Sequence, residues 1–218
     1  MWDAFPKGRR VDLRSGDTEG DDVGDGSRRG PERTLRAEVL ASLLLGEHGE
    51  RSGVGAALRL FGARITGTLA LEGAEVRYLL HLEGCWLEET VRLDSASTLA
   101  VAVAHSRVPG FWAPSARIGG RLDLRGSVIG AQDRRNAVEL IHAHVAGGLR
   151  LDGAVLSAPD GIALSAGGIV MDGGAVVCED GFHARGEVMF PGARLSGGYS
   201  CEVRAWRPRA ASPSARTA

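Results

Sequence analysis

From Leu58 onward the chain repeats one short phrase: apolar, any residue, apolar, any residue, Gly or turn, small, any residue, apolar. Units begin at Leu58, Leu69, Leu80, Val91, Val101, Phe111 and Leu122, at intervals of 11, 11, 11, 10, 10 and 11 residues. The sixth position holds Ala63, Ala74, Cys85, Ala96, Ser106, Ala116 and Ser127, all small. The eighth holds Ile65, Val76, Leu87, Thr98, Val108, Ile118 and Ile129, all aliphatic or β-branched. After an insertion, AQDRRNA at Ala131–Ala137, the phrase resumes at Val138, Leu149 and Ile162. It blurs around Ala175–Arg185 and returns in VMFPGARLSGG from Val188. Self-similarity at a fixed period constrains architecture strongly, because every unit must match its neighbours.

The first and third residues of each unit point to one face of a short extended segment, and the residue between them points away. These outward slots hold Arg59, Ala70, His81, Arg92, Ala102, Trp112, Asp123, Glu139 and Arg150. The Gly that follows permits a positive φ, and the small residue after it turns inward where the backbone bends tightly. Alternation with a period of two argues against a helical repeat. Each unit is half a coil of about 21–22 residues, and stacked coils form parallel sheets. Because parallel crossovers are overwhelmingly right-handed, the expected fold is an all-β, right-handed parallel β-helix. Gly at 32 residues and aromatic content of only 5% suit such a core of small and branched aliphatic side chains.

The open ends of a solenoid carry unpaired strand edges that need cover. Before the first coil, PERTLRAEVLASLLLG places Leu35, Val39, Leu40, Leu43 and Leu44 on one helical face, with Pro31 at the start and Gly46 at the stop. This predicts one capping helix within 31–48, over about Glu32–Leu45. Residues 1–30 read as a flexible N-terminal segment, since DLRSGDTEGDDVGDGSRRG has little to bury. The solenoid is expected over 56–203, and the Arg-, Ala-, Ser- and Pro-rich 204–218 as a disordered tail with no evident capping element.

Three stretches carry a resemblance: WDAFPKGRRVDLR at Trp2–Arg14, GPERTLRAEVLASLLLG at Gly30–Gly46 and LRLFGARITGTLALEGA at Leu58–Ala74. They resemble actinobacterial proteins labelled membrane-associated oxidoreductases, and the likeness extends to about Gly198. The repeat logic is also similar to that of pentapeptide-repeat β-helices, although the unit here is eleven residues. The first resemblance implies oxidoreductase activity and peripheral membrane association. Its motifs are structural and bring no catalytic residues with them.

The residues themselves point away from catalysis. SGVGAAL has Gly53 and Gly55, but Leu58 stands where a dinucleotide fingerprint needs its third small residue. The stretch also follows a helix and precedes a strand, the reverse of the required order. His142 and His144 in IHAHVAG, two apart, are the candidate metal or proton-shuttle pair. Their register counts against them: His105 and His142 fill turn slots in units of opposite parity, His81 is outward, and no carboxylate recurs at matching register. Cys85, Cys178 and Cys201 form no CxxC pair and read as reduced, buried small residues, Cys85 in the inward small slot.

Charge is balanced at −1 overall, and between Ala56 and Val203 there are 16 acidic and 13 Arg residues, too weak a bias to mimic a phosphate backbone. Trp86, Trp112 and Trp206 are scattered rather than interleaved with basic residues, so no nucleic-acid platform is expected. No apolar run reaches the ~20 residues of a membrane span, and no secretory signal opens the chain. The expected product is a cytoplasmic, non-catalytic scaffold or interaction module without a cofactor. It would bind a protein partner or itself, and the resemblance adds peripheral attachment to a membrane.

Overall fold

The computed structural model describes residues 1, 3–17, 19–46, 55–130 and 136–201. Parallel strands stack into a β-solenoid of about six turns with a single helix. Each coil has four sides. The first side carries Leu58, Leu80, Val101, Leu122, Leu149, Val176 and Tyr199 in one column. The second carries Ile65, Leu87, Val108, Ile129, Leu156 and Ala184. The third carries Leu69, Val91, Phe111, Val138, Leu164 and Val188. The fourth carries Val76, Thr98, Ile118, Val145, Met171 and Leu195. Half-coil units of one parity therefore supply sides one and two, and units of the other parity supply sides three and four.

Most of these columns point into one continuous core. Leu58, Val91, Phe111, Leu122, Val138 and Leu149 are completely buried. Phe111 is the fully buried ring of the four columns, and Phe5 and Phe182 are buried towards the two ends of the core. The cross-section is narrow, so inward side chains from all four sides meet in one layer per coil. This is why the aromatic content is low.

Two corners of the coil follow one rule. Between sides one and two stand Gly62, Gly84, His105, Gly126, Gly153 and Asp180; between sides three and four stand Gly73, Ser95, Ser115, His142, Gly168 and Gly192. Every one has a left-handed φ, from 48° at His105 to 68° at Gly62. Non-Gly residues hold this conformation at a cost of roughly 1–2 kcal/mol each, offset by the ladder bonds that fix each corner. His105 accepts the position with its N–H bonded to the Arg125 carbonyl at 2.8 Å, and His142 with its N–H bonded to the Gly167 carbonyl at 2.8 Å. Each histidine also needs a glycine on the next coil. A Cβ on Gly126 would fall 2.2 Å from His105 Nδ1, and one on Gly168 would fall 2.4 Å from His142 Nδ1.

The small slot after the first corner carries a hydrogen-bond ladder. Ser106 Oγ accepts from the Cys85 N–H at 3.0 Å, and Ser127 Oγ accepts from the Ser106 N–H at 3.0 Å. The two hydroxyls donate to the Ala104 and Val103 carbonyls at 2.8 and 2.7 Å. These buried polar atoms are satisfied, as burial requires.

The repeat is not uniform. Along side one the columns advance by 22, 21, 21, 27, 27 and 23 residues. Residues 131–135 of the inserted stretch lie outside the described residues, and the register resumes at Val138, opposite Phe111. Ile162, expected to open the next unit, does not. Leu164 faces Val138, and Ile162 pairs with Glu187 across two register shifts. The strand Val155–Ser165 carries extra residues through its bend, so the inward slot moves two positions along.

The N-terminal region differs from expectation in three ways. Arg10–Asp12 is a strand paired with Leu58's strand, Arg10 opposite Arg59, so residues 1–30 contribute a rung to side one. Thr34–Arg36 is a strand beside Arg64–Thr66, and Leu35 faces Ile65 rather than standing on the helix. The helix, α1, is Ala37–Leu44, shorter than the expected span, and Pro31 opens a 3-10 turn at Pro31–Arg33 instead. Pairing with the exposed edge of the first full coil satisfies the backbone of Thr34–Arg36 more completely than an extra helical turn would. The capping role is as expected: Ala37, Leu40, Leu43 and Leu44 are buried in the common core, and the left-handed Gly46 follows the helix.

The loop 13–30, although irregular, is held by two buried arginines. Arg29 donates to the Ala63 carbonyl at 3.0 Å and the Gly84 carbonyl at 2.9 Å. Arg33 donates to the Gly62 carbonyl through Nε at 3.1 Å and pairs with Asp21 at 2.6 Å. Burial works to raise the Asp21 pKa, but N–H donors from Ser15 and Gly16 and the Arg33 guanidinium outweigh it and hold it below the ordinary carboxylate value. Trp86 packs over Gly26, where a Cβ would lie 2.3 Å from the Trp86 Cβ. The tail 204–218 and Gly53 lie outside the described residues.

Candidate functional site

The strongest candidates from sequence were His142 and His144, and the fold separates their roles. His142 occupies the corner before side four, exposed, with its ring across Gly168. His144 is on side four itself, where Nε2 contacts the carboxylate of Asp172 on the next coil. The expectation that no carboxylate matches the histidine register is thus corrected, because Asp172 stands two residues past Val170, the Cα partner of His144. The contact is exposed and joins one histidine to one carboxylate. Among the described residues no group of three or more His, Cys, Asp and Glu side chains is placed to hold a metal ion.

Outward titratable groups elsewhere pair within or between adjacent rungs. His81 meets Glu83 at 3.1 Å, Arg92 meets Glu72 at 2.9 Å, and Arg150 meets Asp152 at 2.7 Å. Asp123, in an outward slot, is only 8% exposed because Arg125 lies over it at 3.3 Å and its carboxylate accepts the Arg125 N–H. Near the first rung, Arg10 stacks on Phe61 at 3.8 Å and His81 meets the same ring edge-on at 5.1 Å. Arg92–Glu72 and the contacts around Phe61 reach from one coil to the next, whereas His81–Glu83, Arg150–Asp152 and Asp123–Arg125 each lie along a single rung. Exposed pairs of this kind contribute ~0–1 kcal/mol each.

Cys85 is fully buried in the small slot, and burial pushes its thiol up to about 11. A thiol held in this way has almost no nucleophilic thiolate at neutral pH. The expectation of reduced cysteines holds for Cys85 but not for Cys178, which is disulfide-bonded. In the ladder the Cα of Cys178 faces that of Cys201.

Two concave features remain. On sides two and three a groove of about 700 Å³ is lined by Trp86, Glu88, Glu89, Arg107, Pro109 and Trp112. Its wall is braced by the Arg64 guanidinium, 5.5 Å from the Trp86 ring centre and 3.7 Å from Glu88, and by the Trp112 indole N–H, which donates to the Asn136 carbonyl at 2.9 Å. Sequence reading treated the tryptophans as scattered. The signal that could have joined them is register. It places them in two outward columns, Trp86 with Arg107, Val128 and Val155 on side two and Trp112 with Arg92 and Glu139 on side three, and the bend between those sides brings the columns together. At the C-terminal mouth a second cavity of about 510 Å³ is lined by the core's own apolar positions, among them Phe182, Val188, Phe190, Leu195 and Tyr199.

Among the described residues no helix is long and apolar enough to cross a membrane. Compared with known proteins, the chain matches no family model, no curated protein and no solved structure.

Proposed function

We propose that this chain is a non-catalytic β-helix scaffold or protein-interaction module. The observation that supports this reading is the disposition of its titratable side chains. Along the outer faces they pair within a rung or between neighbouring rungs, as at His81–Glu83, Arg150–Asp152 and His144–Asp172. An acid–base or nucleophilic site instead needs several such groups converging at one reacting atom. Stacked coils offer what a docking surface needs: flat sides, a rigid frame and side chains at fixed spacing along the axis.

The test is native mass spectrometry of the purified full chain with its visible spectrum alongside. The module reading expects the polypeptide mass alone and no absorbance band in the visible range. A stoichiometric flavin, haem or metal would overturn it in favour of the oxidoreductase chemistry that the family resemblance implies.

A further inference from the structure

We draw no further inference here: the strongest candidate, the groove between Trp86 and Trp112 at the bend from side two to side three, is bounded by Gly130 and Asn136, the two ends of a stretch outside the described residues, and nothing in the structure shows what covers it.

Discussion

The corner columns make a quantitative claim that one substitution can test. Gly126→Ala places a Cβ at φ +62°, 2.2 Å from His105 Nδ1. Two costs arise. The left-handed backbone penalises any Cβ by roughly 1–2 kcal/mol, and the exposed His105 ring must swing off its rotamer, at about 0.5–1.5 kcal/mol. Gly84 supplies the control: its φ is +59°, and a Cβ there meets nothing within 4 Å. Gly84→Ala should therefore cost only the backbone term, and Gly126→Ala about 1 kcal/mol more. In a His105→Ala background the excess at Gly126 should vanish, giving a coupling energy of about 1 kcal/mol between adjacent coils. Urea unfolding followed by far-ultraviolet circular dichroism measures all four variants. Should Gly126→Ala cost the same with and without the imidazole, the idea that each corner histidine requires a glycine on the next coil is wrong.

Other consequences can be checked with standard measurements. Cys85 should resist a thiol-directed reagent at pH 8 in the native protein and react fully in denaturant, since burial holds its thiol near 11. Cys85→Ser should change stability by less than about 1 kcal/mol, because Ser106 and Ser127 already fill the same slot in the next two coils. Leu43→Ala removes a completely buried side chain from the capping helix and should cost about 2–5 kcal/mol by urea unfolding. Asp21 has a depressed folded-state pKa, so its contribution is present above the unfolded carboxylate value and is lost as pH falls through the folded one. Asp21→Asn should accordingly lower stability at pH 7 and flatten its decline on the acid side of about pH 4, as read from thermal melts across pH.

The groove between Trp86 and Trp112 and the C-terminal mouth differ in what they offer. The groove is polar at one rim, with Glu88, Glu89 and Arg107, and its walls are braced by contacts of its own. The mouth is a slice through the core, and its lining residues lie in the same inward slots that every earlier coil fills against the next.

The sequence alone determined the half-coil unit, its pairing into full turns, the inward and outward slots, the small-residue corner and the capping leucines of α1. These are legible because a solenoid repeats the same contact between neighbouring coils, so each slot is constrained many times in one chain. Cys85 fell in its expected slot for this reason, and His105 and His142 fell on opposite corners. Tertiary structure decided the contacts made only once. Arg29 and Arg33 reach carbonyls at Ala63, Gly84 and Gly62, Leu35 joins a strand instead of the helix, and Leu164 displaces Ile162. The disulfide at Cys178, the contact of His144 with Asp172 and the meeting of Trp86 with Trp112 around one groove belong to the same group. Each depends on how far the chain advances between two particular rungs, and where coils vary from 21 to 27 residues that advance is set by bends and insertions. A periodic pattern carries no record of such departures, so single contacts emerge only when the coils are stacked.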